Sequence, residues 1–214
     1  MEAQQEQQQG GGTDRRWIIL AGFALVAAIV VGAVLIGRSG GDDGGSGGDG
    51  PEQVLEAGEK ATAVVKTNKG SFEIALDTER APETTNSFAY LAEDGFYDGL
   101  DFHRIVPGFV IQGGDPKGDG TGGPGYKVVE APPDDLEYTK GVVAMAKSGT
   151  EAAGTSGSQF FVVTGADAGL PPEYALLGEV SSGLDVVEAI GELGGSDEKP
   201  TEEVVIESVE IKTE

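Results

Sequence analysis

The stretch Phe102 to Asp115, FHRIVPGFVIQGGD, constrains the fold of this chain more tightly than any other part of it. Two short β-forming runs flank Pro107-Gly108, so the segment reads as a hairpin, and the length of its turn decides which side chains share a face. With a three-residue connection, Pro107-Gly108-Phe109, Val106 lies opposite Val110 and Arg104 opposite Gln112. Side chains alternate along a strand, which puts Arg104, Val106, Val110 and Gln112 on one face. His103, Ile105, Ile111 and Gly113 take the other. A two-residue turn would set Arg104 against Ile111 and separate the polar pair, so the first register is adopted. Gly113 and Gly114 permit a close backbone approach beyond the strand.

The hairpin carries an arginine, an amide and apolar side chains, but no strong nucleophile. Arginine stays protonated and is a poor general acid or base; it donates hydrogen bonds in a fixed geometry. Such a site binds and polarises. The chain has no cysteine, which excludes disulfides, a thiolate nucleophile and a CxxC redox site. Its single histidine, His103, argues against a histidine-based metal centre, and alternation points it away from Arg104. The formal net charge of -23 argues against nucleic acid, which needs clustered cations.

The rest of the chain divides by composition. Residues 1–14 are Gln- and Gly-rich and are expected to be disordered. Arg15-Arg16-Trp17 precedes an uncharged apolar run from Ile18 to Gly37, twenty residues that match a bilayer core of about 30 Å. Residues 15–38 therefore read as a single transmembrane anchor with Trp17 at the interface. A cleaved signal peptide is the rival, but its apolar region is usually about 7–15 residues and ends at a small-x-small site. Two arginines before the span and Arg38 after it orient the bulk of the chain away from the cytoplasm. Residues 39–60 read as a Gly/Asp-rich linker ending in a short tether from Pro51, and residues 61–214 as the folded domain.

Within that domain, Ala63–Thr67 and Ser71–Leu76 read as strands joined by Asn68-Lys69-Gly70. Further strands are expected near Phe102–Val106, Val110–Gly113, Val142–Ala146, Phe160–Val163, Leu176–Val180 and Val204–Lys212. Pro82–Asp94 reads as a helix with Pro82 in its first turn and Gly95 after its end. A second helix is expected at Leu184–Ile190, capped by a preceding serine. Many short strands with two helices between Gly/Pro loops point to a closed antiparallel barrel with helices at its ends. The run Gly118–Gly123 matches GxGxxG, but it opens into Pro124-Gly125 rather than a helix and holds no phosphate.

Two further motifs accompany the hairpin: GTSGSQFFVVT, Gly154 to Thr164, and LPPEYALLGEV, Leu170 to Val180. Together the three resemble the cyclophilins, the peptidyl-prolyl cis-trans isomerases, in a bacterial, membrane-anchored form, over about Ala63 to Ile211. The resemblance implies a mostly-β fold, a closed eight-stranded antiparallel barrel with two capping helices. It implies X-Pro isomerisation without a cofactor, proline-containing polypeptides as partners and a monomeric catalytic domain. Arg104 matches the catalytic arginine, and Gln112 the amide that orients it and holds substrate backbone. Phe109, Val110, Phe161 and Leu170 match the apolar pocket for the proline ring. Ala146 and Gln159 match the wall beside it, and Tyr174 a position often histidine in eukaryotic members. Gly169 stands where many eukaryotic members have tryptophan, Lys147 where asparagine is common, and Val110 where methionine is frequent. A proline-binding chaperone with little turnover is the alternative.

Overall fold

The computed structural model describes residues 50–214. The expected disordered tail (1–14), the expected transmembrane anchor (15–38) and the first part of the expected linker (39–49) lie outside the described residues. Among the described residues, no helix is long and apolar enough to cross a membrane.

The described elements run, in chain order, β1 (Ala61–Thr67), β2 (Gly70–Leu76), α1 (Pro82–Glu93), β3 (Arg104–Val106), β4 (Val110–Gly113), β5 (Val128–Val129), β6 (Val142–Met145), β7 (Thr155–Ser156), β8 (Phe160–Val163), β9 (Leu176–Ser182), α2 (Leu184–Gly191) and β10 (Ile206–Thr213). Eight strands form one antiparallel sheet in the order β10-β1-β2-β9-β6-β8-β4-β3, and β5 pairs with β7 apart from it. Register shifts at Lys66/Thr67, Glu73/Ile74 and Val143/Ala144 mark bulges, which increase twist and curl the sheet.

The expected closed barrel is corrected to a strongly curled half-barrel, open between β3 and β10. An isolated bridge, Asp101 to Val205, spans that gap, with the Phe102 N–H donating to Val204 O (2.9 Å) and the Ile206 N–H to Leu100 O (2.7 Å). No ladder forms, because β3 is three residues long and its outer edge is taken by a turn: the Ile105 N–H donates to Glu198 O at 2.8 Å. The strand expected from Phe102 accordingly begins at Arg104.

Two apolar clusters occupy the two faces of the central strands. Ile105, Ile111, Phe160 and Val162 join Phe72, Ile74 and Phe88 in the main core. Val110, Phe161 and Val163 belong to a second cluster with Phe109, Tyr138 and Tyr174. Period-two alternation thus puts Phe160 in the main core and Phe161 in the second cluster.

Pro82 opens α1, as its fixed φ and missing N–H suit the first turn. Glu130, a distant residue, supplies the cap: its carboxylate accepts the N–H groups of Glu83 (3.2 Å) and Thr84 (2.8 Å). The serine cap expected for α2 is replaced by Gly183 in the left-handed region (φ 74°), with no side-chain cap. Ahead of β1, residues 51–60 form no helix and lie on the domain. Asn86 Oδ1 accepts the N–H groups of Val54 (2.7 Å) and Leu55 (3.0 Å), and the Leu55 side chain is buried.

Candidate active site

The β3–β4 hairpin has the register that groups its polar pair. Arg104 lies opposite Gln112, Ile105 opposite Ile111 and Val106 opposite Val110. Gly108 takes a left-handed φ of 68° in the connection, and the Phe109 N–H donates to Val106 O at 3.0 Å to close it. A side chain at Gly108 would strain that turn and with it the register.

Arg104 is held from several sides. Its Nε donates to Glu198 Oε2 at 2.7 Å, its Nη1 to Gln112 Oε1 at 3.4 Å, and its guanidinium carbon sits 6.0 Å from the Phe109 ring centroid. The Arg104 side chain is only 11% exposed, so these contacts act in a partly desolvated setting.

An amide chain extends from there. Gln112 Nε2 donates to Gln159 Oε1 at 3.0 Å. Gln159 Nε2 donates to the carbonyls of Gly120 (3.1 Å) and Gly122 (3.0 Å). Two carbonyls facing one nitrogen fix which end of Gln159 is the donor. That fixes Gln112 in turn, and leaves its oxygen toward Arg104. Buried Asp115 organises the loop bearing those carbonyls, accepting the N–H groups of Lys117 (2.8 Å) and Gly120. A Cβ at Gly122 would fall 1.9 Å from Asp115 Oδ1, so this glycine is required for the close approach. The GxGxxG-like run is therefore a loop that presents carbonyls, and β5 rather than a helix is the next element after it.

A groove of about 370 Å³ opens beside this network, lined among others by Arg104, Gln112, Ala146, Lys147, Glu151 and Gln159. Lys127 Nζ pairs with Glu151 Oε1 at 3.2 Å, and both line the same groove. Burial pushes the Glu151 carboxyl up, but the Ser148 N–H and Lys127 outweigh it and hold the carboxyl below its ordinary range.

Phe109, Val110, Phe161, Leu170 and Tyr174 do not line that groove. They form the neighbouring apolar cluster, which Ala146 joins to the groove wall. Phe161 is fully buried and meets Tyr174 edge-on, with ring centroids 5.6 Å apart at 86°. The Tyr138 hydroxyl fixes the backbone of Tyr174, donating to its carbonyl (2.6 Å) and accepting its N–H (3.0 Å). Lys147 has its side chain almost wholly buried, with Nζ 5.4 Å from the Tyr174 ring centroid and 3.3 Å from Glu173 Oε2. At Gly169, φ is 63° and a Cβ would meet nothing within 4 Å, so the rim there is open.

His103 stands apart from the Arg104 face. Both its ring nitrogens are buried without a hydrogen-bond partner. Burial pushes its pKa below the ordinary 6.5, against the opposing pull of Asp115 and Asp101.

The curled β half-barrel thus carries an arginine and an amide chain beside an apolar cluster. Comparison with known proteins places it further. Residues 62–211 match the family model described as cyclophilin type peptidyl-prolyl cis-trans isomerase/CLD. Peptidyl-prolyl cis-trans isomerase B of Streptomyces anulatus is 41% identical over 175 residues, covering 72% of this chain and 98% of that protein. Peptidyl-prolyl cis-trans isomerase A of Mycobacterium tuberculosis is 41% identical over 170 residues, covering 71% and 92%. A crystal structure of a Cryptosporidium parvum cyclophilin type isomerase, in the presence of the dipeptide Ala-Pro, aligns with a TM-score of 0.66 at 28% identity, covering 72% of this chain and 99% of that one. The chain belongs to the cyclophilin-type peptidyl-prolyl cis-trans isomerase family and is an enzyme of that class.

The sequence reasoning did not reach Glu198, Asp115, or the carbonyls of Gly120 and Gly122. Glu198 lies 94 residues from its arginine, and no local pattern links the two. Backbone carbonyls leave no mark on side-chain chemistry at all.

Proposed function

We propose that this chain accelerates X-Pro rotation in polypeptides that fold outside the cytoplasm, with Arg104 polarising the prolyl amide. The observation that carries this reading is Arg104 paired with Gln112 at the join of a polar groove and an apolar cluster. The barrier to rotation is about 18–20 kcal/mol, because the amide nitrogen lone pair is delocalised. A guanidinium N–H aimed at the prolyl nitrogen localises that lone pair and weakens the partial double bond. Gln112 presents its amide to the substrate backbone. Phe109 and Leu170, backed by the buried Val110 and Phe161, form the apolar side against which the proline ring packs, with Ala146, Gln159 and Tyr174 around it. The twisted amide is then bound more tightly than either planar isomer, which is all the catalysis needed. Bringing a process of tens of seconds to milliseconds takes a factor of about 10⁴, or ~5–6 kcal/mol. A few charge-assisted hydrogen bonds and a desolvated ring pocket are of that size.

The Ile18–Gly37 run supports a single-pass membrane anchor with the catalytic domain, acting as a monomer, on the extracytoplasmic side. The open rim at Gly169 favours a second reading, a proline-binding module with little turnover. NMR exchange spectroscopy on an Ala-Pro peptide with the full chain separates the two. Accelerated cis-trans exchange is the expected result; saturable binding without acceleration would select the second reading. Fractionation with intact mass of the mature protein tests the anchor, and a soluble, shortened chain would remove it.

A further inference from the structure

Among the described residues, Glu198 is the only non-glycine residue with positive φ, at 64°. A side chain rarely adopts this conformation, and glycine would hold it at no steric cost. The turn around it is tied in place: the Glu198 N–H donates to Gly195 O (3.1 Å) and the Gly195 N–H to Lys199 O (2.7 Å). It also lies hard against β3, since a Cβ on Gly194 would come within 2.5 Å of Ile105 O. A glutamate kept where glycine is easier calls for a contact that its side chain alone makes. That contact is on Arg104: Oε2 accepts from Nε at 2.7 Å.

Glu198 grips β3 twice, with its backbone carbonyl on the Ile105 N–H and its carboxylate on the adjacent side chain. Arginine has three rotatable bonds beyond Cβ, and the 3.4 Å contact with Gln112 is a loose restraint on them. A carboxylate on Nε removes the rotation that would swing the guanidinium out of the groove. It leaves the Nη side directed at Gln112 and the groove that Arg104 lines.

We propose that Glu198 is a positioning residue for Arg104, holding the guanidinium in the orientation that isomerisation needs and doing so from a left-handed backbone at the open edge of the half-barrel. This rests on the isomerase reading above. Glu198 acts through Arg104 and touches no reacting atom. Its backbone bond to Ile105 survives any side-chain change, so the turn stays docked in the variants that test the idea.

The test compares Glu198→Gly and Glu198→Gln with the unaltered full chain, using exchange spectroscopy on an Ala-Pro peptide, thermal melting, and hydrogen exchange of the Arg104 Nε–H. Glu198→Gly relieves the backbone, so it melts at or above the parent temperature. It loses about tenfold in kcat with KM little changed, and its Arg104 Nε–H exchanges faster. Glu198→Gln keeps a neutral acceptor for Nε and recovers kcat to within about threefold of the parent. Parental kcat and parental Nε–H exchange in Glu198→Gly would overturn the proposal. So would a rise in kcat in both variants, which would mean that the carboxylate damps the arginine rather than orienting it. If the parent itself accelerates no exchange, the isomerase reading fails instead; the Nε–H measurement still reports whether Glu198 holds Arg104.

Discussion

Replacing Gln159 with leucine removes an amide and keeps the approximate bulk, so it isolates what the amide does. Three hydrogen bonds go: Gln112 Nε2 to Gln159 Oε1 (3.0 Å), and Gln159 Nε2 to the carbonyls of Gly120 (3.1 Å) and Gly122 (3.0 Å). Each is worth about 0.5–1.5 kcal/mol net. Both glycines are partly exposed in the groove, so water takes up much of what their carbonyls lose. The stability cost is therefore about 1–2 kcal/mol, which lowers the melting midpoint by ~2–8 °C for a domain of this size. The kinetic effect is more specific. Without Gln159, either end of the Gln112 amide can face Arg104, and when the NH₂ end does so it repels the guanidinium. We expect kcat/KM to fall about three- to tenfold, read by a protease-free isomerisation assay beside a melting curve. Gln159→Glu serves as a control: it accepts from Gln112 but cannot donate to Gly120 and Gly122, so it should melt earlier than the leucine variant. A Gln159→Leu protein with parental melting and parental rate would refute the amide chain as an orienting device.

Other outcomes follow from the same geometry. Tyr138→Phe removes two hydrogen bonds to the Tyr174 backbone in a buried place, costing about 2 kcal/mol and lowering the midpoint by ~4–8 °C on a melting curve. Burial pushes the Tyr138 pKa up to about 12, so the hydroxyl keeps its proton and this cost is the same across neutral pH. His103 is buried and its folded pKa lies below the ordinary 6.5, so on acidification the unfolded chain binds the proton first. Stability therefore declines as pH falls from about 6.5, before most carboxylates titrate, and melting of His103→Gln over about pH 5–7 should lack that slope. Turnover should be nearly flat from about pH 6.5 to 8, because the catalytic scheme uses no group that titrates there.

The hairpin was legible because a strand's period of two and a Pro-Gly turn leave few registers, and only one unites Arg104 with Gln112. The same periodicity places Phe160 and Phe161 on opposite faces of β8. The open edge was not legible. Closure depends on whether β3 pairs with β10, and the Glu198 turn that takes the Ile105 N–H sits far along the chain. Caps illustrate the same limit: the distant Glu130 caps α1, and glycine stands where serine was expected before α2. Contacts made at long range, or by backbone carbonyls, do not announce themselves in local pattern. The groove and the apolar cluster also separate in the structure in a way that residue types alone do not dictate.

In the proposed mechanism Arg104 polarises the prolyl amide. Measuring Arg104→Ala by exchange spectroscopy, with peptide affinity determined in parallel, tests it most directly. Loss of one well-placed donor to a developing charge typically costs about 10²-fold in turnover. We expect a fall of about that size, with peptide affinity reduced only severalfold. A parental exchange rate in a folded Arg104→Ala protein would contradict the account.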